Sequence, residues 1–220
     1  MKHKISTIEE LERFVEEIGF LPFLSSSISG FSLKDMTEEE FWWTGMENDP
    51  WEWRKTIASE GKLAYGKLFS KNAGFVSRAF YPEFACFRRD GYDFDTLYEC
   101  GMASTNELRI MEAVWRSKRP LASYELKKAS GVIKGFEGAL TNLQMKTYLT
   151  VCGFVRKQSK MGEEYGWPVA LYTTPERLFG EDYVRSFYGQ EKHLKQAMMK
   201  KLFSLFPNES EAALFRFFKA

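Results

Sequence analysis

Apolar positions along the first sixty residues recur mostly at helical spacing. Ile8, Leu11, Val15 and Ile18 follow Thr7 and Glu10, a capping-box pair, and Gly19 supplies a stop. LPFLSSSISGF reads as a connection. Thr37 with Glu40 predicts a second short helix presenting Phe41, Trp42 and Trp43. Asp49-Pro50 opens a third that runs through Trp51, Trp53 and Arg54 to Gly61. The pattern then changes. KLAYGKLF and AGFVSRAF predict two strands around Ser70-Lys71-Asn72, Pro82 starts a helix over PEFACFRR, and YDFDTLYECGMAS reads as a capped turn or short helix.

From Thr105 the order of elements becomes informative. Leu108, Met111, Ala113 and Trp115 predict a helix stopped by Lys118-Arg119-Pro120. Leu121-Ala122-Ser123 suits a short strand and a cap, and Tyr124, Leu126 and Ala129 give a second helix ending at Gly131. Phe136, Leu140 and Leu143 set out a third helix. TYLTVCGFVRK and WPVALYTT read as strands around the polar tip QSKMGEEYG. Helix, strand, helix, helix, strand, tip, strand is the order of a winged helix. Thr174-Pro175 caps a short helix, another starts near Asp182, and Gln190 to Phe206 is amphipathic. Asn208 with Glu211 predicts the cap of a final aromatic helix. The expected fold is α+β and helix-rich: an acidic, aromatic-rich half over 1–104, a winged-helix module over 105–175, and helices over 176–220 packing on the rest. No internal repeat is visible in the sequence.

Composition narrows the function. The chain of 220 residues is 44% hydrophobic and 28% charged, ordinary for a globular protein. Its net charge of +1 announces no polyanion partner, yet the distribution is uneven. Residues 1–60 hold 6 basic and 13 acidic side chains, a net of −7, and residues 105–175 hold 11 and 6, a net of +5. Cys86, Cys100 and Cys152 are far apart and form no CxxC, so a reducing compartment is expected; Cys86, inside an apolar helix, reads as buried filler. The opening MKHKISTIEELERF lacks the apolar core of a signal peptide, and no run suits a membrane span. The cytoplasm is the expected location. With His3 and His193 as the only histidines, no metal site and no cofactor are expected.

In a winged helix the third helix enters the major groove and the wing grips flanking backbone. On that pattern Glu137, Thr141, Asn142 and Gln144 would face outward, with Lys134 and Lys146 at the helix ends and Arg156, Lys157 and Lys160 at the wing. Duplex or damaged DNA is the partner this implies. The Glu-bearing helix also suits the alternative, a protein-interaction or structural module with no nucleic acid and no catalysis. A second constellation lies earlier: Trp51, Trp53, Tyr65 and Tyr92 interleave with Arg54, Lys67, Arg78, Arg88 and Arg89. Aromatic faces alternating with cations can stack on bases and clamp phosphates, or can simply pack. Asp93 and Asp95 form a DxD that helix capping explains economically. No GxSxG, P-loop or HExxH occurs.

The stretch from DPWEWRKTIASEGKLAYG to FYPEFACFRRDGYDFD, with FEGALTNLQMKTYL and YGWPVALYTTPERLFG later, resembles the bacterial AlkZ-related proteins over about residues 20–190. These are relatives of winged-helix DNA glycosylases, which remove alkylated or crosslinked bases. The resemblance implies tandem winged helices around a DNA-binding cleft and a link to DNA repair; an enzymatic activity, if any, would be hydrolysis of an N-glycosidic bond. The glycosylases position water with Gln-x-Gln or Gln-x-Asp. Here Gln144 is followed by Met145-Lys146 and Gln158 by Ser159-Lys160, so no catalytic residue is assigned.

Overall fold

Strand pairing organises the molecule. The computed structural model describes residues 4–159 and 161–219. Helix α1 (Ile8–Ile18) is capped by Thr7 and closed by Gly19 in the left-handed region, and strand β1 (Phe20–Pro22) follows directly. Then come α2 (Leu33–Met36), a single 3-10 turn (Glu39–Phe41) and α3 (Pro50–Glu60). Strands β2 (Leu63–Phe69) and β3 (Asn72–Ser77) are joined by Ser70 and Lys71, both at positive φ, the geometry of a tight hairpin. After α4 (Tyr81–Arg89) and α5 (Phe94–Glu99), the chain forms α6 (Thr105–Arg116), β4 (Leu121–Ala122), α7 (Ser123–Ser130), α8 (Phe136–Met145), β5 (Thr150–Gln158) and β6 (Glu164–Thr173). It ends with α9 (Pro175–Phe179), α10 (Glu181–Val184), α11 (Glu191–Leu205) and α12 (Glu211–Phe218).

The fold is α+β around one six-stranded antiparallel sheet in the order β1-β3-β2-β5-β6-β4. That order is a palindrome. Residues 8–77 and 105–173 each run helix, strand, helix, helix, strand, strand, and in each the first strand pairs with the last. The two threefold sheets join where β2 meets β5, through the single register pair Tyr65↔Val151. Directly paired residues share a sheet face, so Leu21, Phe75, Tyr65, Val151, Tyr172 and Leu121 form one buried row across all six strands. Each half lends its third helix to the other: α3 packs on β5, and α8 packs on β2.

Three boundary expectations are corrected. The segment read as a connection begins inside β1, whose three residues are all buried and so carry no alternating pattern. The short helix expected after Thr37 is only the 3-10 turn Glu39–Phe41, without a side-chain cap, and Thr37 accepts the Trp42 indole N–H. The helix that does form here, α2, lies before it and was not expected; Ser32 Oγ caps it by accepting the Asp35 N–H. Ser210, not Asn208, caps α12. The C-terminal helix closes an aromatic cluster, with the Phe218 ring 4.9 Å from Phe20 and 5.1 Å from Phe84. Among the described residues no helix is long and apolar enough to cross a membrane.

Candidate nucleic-acid interface

The third helix of the second half does not present the face expected of it. Glu137, Gly138 and Asn142 are exposed, but Thr141 and Gln144 are buried against β2. The reason lies in the strand. β2 and β5 pair at one position and then part, so the Lys67 N–H has no strand partner on that side and is donated to Gln144 Oε1 at 3.0 Å. Gln144 Nε2 donates to Leu140 O, and Lys67 Nζ donates to Thr141 Oγ1. Gly66 makes room: a Cβ there would lie 3.2 Å from Gln144 Oε1. Gln144 therefore splices two halves together, which corrects its outward placement.

The remaining positions of that set scatter. Lys134 is exposed at the start of α8, with its carbonyl accepting from the Asn106 amide. Lys146 is committed to Glu107 (3.1 Å) and to Met102 O. Arg156 is exposed on β5, and Lys157 lies 5.4 Å from the Tyr124 ring. Lys160 lies outside the described residues.

The aromatic and cationic constellation divides into separate places. Trp53 is core, its indole N–H donated to Glu47 O. Arg78 is exposed, lying over Phe179 and Tyr183. Arg88 and Arg89 are buried ties rather than groups open to a ligand, which corrects their assignment to an open pocket. Arg88 donates to Met145 O and Leu68 O, binding α4 to the end of α8 and to β2. Arg89 donates to Thr147 Oγ1, Thr147 O, Tyr188 Oη and Glu176 Oε1, the last at 2.6 Å. Burial opposes the Arg89 charge, and Glu176 with Tyr188 and Tyr81 more than offsets it. A cleft of about 340 Å³ beside Arg89 also holds Asp93, Asp95, Trp115, Tyr148 and Arg177. Its charges are mostly spoken for. Asp93 caps α5 and is held below the usual carboxylate range by the Thr96 N–H, Arg177 donates to the carbonyls that end α6, and Arg185 pairs with Glu181. Tyr92 is exposed nearby, its carbonyl accepting from the Tyr148 and Tyr188 hydroxyls. The Cys86 thiol is buried, donates to Phe187 O and is pushed up to about 11 by burial.

Trp51, Arg54 and Tyr65 do converge, in the seam between the halves. Arg54 sits between the Trp51 ring (3.8 Å from Cζ to the centroid) and the Phe154 ring (4.7 Å). Phe154 reaches that face because β5 bulges at Cys152, where two residues of β5 oppose one of β6 and the alternation reverses. Tyr65 Oη lies in the same group and is pushed up to about 12 by burial, against the pull of Arg54.

Next to this seam runs a groove of about 490 Å³ between α3 and the β5–β6 hairpin. Lys55, Thr56 and Ser59 line it from one half, and Phe154, Arg156, Gln158 and Glu164 from the other. The groove adjoins a feature that sequence reasoning missed. Between the pairs Val155↔Val169 and Lys157↔Tyr165, β5 spends one residue and β6 spends three, Gly166-Trp167-Pro168. Gly166, at φ 75°, turns the chain outward and leaves Trp167 85% exposed, with Tyr165 and Met161 exposed toward the tip. The Gly-Trp-Pro triplet inside an otherwise regular strand was the available signal.

The molecule is thus an α+β protein built from two like-ordered halves on one sheet, with a groove of mixed polar and apolar lining between them. The family model described as AlkZ related matches residues 5–219, and the chain belongs to that family. No curated protein matches the chain. Among solved structures, a transcriptional regulator of the MarR family from Silicibacter pomeroyi shares 16% identity over 60% of this chain and 86% of that chain, with a TM-score of 0.25; a likeness at that level carries no argument.

Proposed function

We propose that the protein is a tandem winged-helix DNA-binding protein, and that it meets DNA along the groove between α3 and the wing hairpin rather than through α8. The observation carrying this reading is the meeting, in one groove, of two cations (Arg156, and Lys55 in its ion pair with Glu52), two hydroxyls (Thr56, Ser59) and an amide (Gln158) from opposite halves, against one carboxylate (Glu164). Such groups suit phosphate oxygens, and the exposed Trp167 and Tyr165 offer rings to bases or sugars. The palindromic strand order supports the tandem arrangement, and membership of the AlkZ-related family supports a link to DNA repair. No residue is assigned to glycosidic hydrolysis, since Gln144 is occupied by the Lys67 N–H.

Fluorescence anisotropy with a labelled duplex over a salt series tests the reading. Lys55→Ala with Arg156→Ala should weaken binding and make the dependence of log Kd on log salt shallower by about one unit for each phosphate no longer neutralised. Lys128→Ala, on the exposed side of α7, should change neither. Equal slopes for all three proteins would remove the groove assignment.

A second reading has its own observation. The open face of α8 carries Glu137, Gly138 and Asn142 without a cation, and Ile133 beside it is 87% exposed. That face suits a protein partner better than a phosphate backbone. Retention of a protein partner that Ile133→Asp abolishes, with no duplex retained, would favour it over DNA binding.

A further inference from the structure

Among the described residues three guanidinium groups are shut inside the protein, and their circumstances differ. Arg88 and Arg89 donate through their terminal nitrogens to carbonyls, a hydroxyl and a carboxylate, as buried cations must, although Arg88 Nε, like that of Arg54, is sealed without a partner. Arg54 is 6% exposed and makes no hydrogen bond or ion pair with any described residue. Its Nε is sealed from solvent without a partner, and its terminal nitrogens, equally unpartnered, are the atoms left touching solvent. The nearby acids are occupied: Asp49 accepts from the N–H groups of Trp43, Gly45 and Trp51, and Glu52 pairs with Lys55. The Tyr65 hydroxyl, close enough to feel the Arg54 charge, is also without a hydrogen-bond partner among the described residues, although the side chain is buried.

A buried cation held only by two ring faces lacks the anion that would offset its desolvation. We infer that Arg54 and Tyr65 form an anion site for the phosphate of a nucleotide unit, with the edge of the half-buried Trp51 ring, whose faces carry Arg54 and Phe23, beside it to meet the sugar or base. A planar guanidinium with free terminal nitrogens can hold two phosphate oxygens at once, and the phenol donates to a third. Phe154 connects this site to the proposed DNA groove, since it lines that groove while its ring carries Arg54. The site deepens the DNA-binding reading but is tested apart from it.

The experiment is thermal unfolding and calorimetric titration of the full chain with a deoxynucleoside 5′-monophosphate, a single-stranded trinucleotide, inorganic phosphate and an unphosphorylated deoxynucleoside. Wild-type protein should be stabilised by the two nucleotide probes and unaffected by the nucleoside. Arg54→Met, which replaces an unpaired charge with an apolar chain of similar length, should melt at or above the wild-type temperature yet bind the nucleotides at least tenfold more weakly. Tyr65→Phe should weaken binding severalfold with the fold intact, and it decides the matter should Arg54→Met fail to fold. Equal nucleotide affinity in wild type and either folded variant would overturn the proposal, as would binding of inorganic phosphate as tight as that of the nucleotide. Duplex binding without any response to the nucleotides would overturn this site and leave the groove reading standing; a nucleotide response without duplex binding would do the reverse.

Discussion

At the residue scale, burying a guanidinium has opposite consequences depending on what it meets. Arg88 has no acid beside it, and burial pulls its pKa down, yet its two terminal nitrogens satisfy Met145 O and Leu68 O. Arg88→Met would remove a desolvated charge but strand two buried carbonyls. The second effect should win, so the variant is expected to lose about 2–4 kcal/mol in urea unfolding. Unchanged stability would mean that those carbonyls find other donors. The sequence shows Arg88 and Arg89 as neighbours of aromatic residues, and that is where its information stops. Whether a cation faces a ligand or a carbonyl depends on partners 58 and 87 positions away, such as Thr147 and Glu176. Arg54 looked the same in sequence and came out differently.

At the element scale, periodicity located most helices and both hairpins, because capping residues and apolar spacing are local signals. It failed at β1, too short and too buried to alternate, and at α8, where polarity was read as exposure. Thr141 and Gln144 are polar because an opened strand edge needs an acceptor, and that need arises only once β2 and β5 have paired and parted. Gln144→Leu should therefore behave as a splice mutation. It leaves the Lys67 N–H without its acceptor and is expected to cost about 1–3 kcal/mol, with duplex affinity of the folded protein unchanged. A large loss of affinity at wild-type stability would return Gln144 to the functional surface.

At the scale of the whole molecule, the repeat is carried by strand pairing and by nothing visible in the residues. Phe75 corresponds to Tyr172, Tyr65 to Val151 and Leu21 to Leu121, pairs alike in burial of which only the last is identical and Tyr65–Val151 differs in kind. Packing constrains position and volume more than identity, so two halves can keep one topology while their sequences diverge. The consequence for function is a groove that neither half owns. Its lining is shared between α3 and the β5–β6 hairpin, and Trp167 stands beside it because a three-residue bulge turned it out of the sheet. The charge asymmetry seen in the sequence, acidic before residue 60 and basic after 105, places Arg156 from the basic half opposite Lys55, one of the few cations of the acidic half.

Photo-crosslinking of a duplex carrying halogenated deoxyuridine, followed by mass spectrometry of the linked peptides, tests the proposed interface most directly. Crosslinks at Tyr165 or Trp167, abolished when Lys55 and Arg156 are both alanine, are the predicted result. Crosslinks confined to the Ile133–Asn142 face, or none above background at low salt, would contradict it.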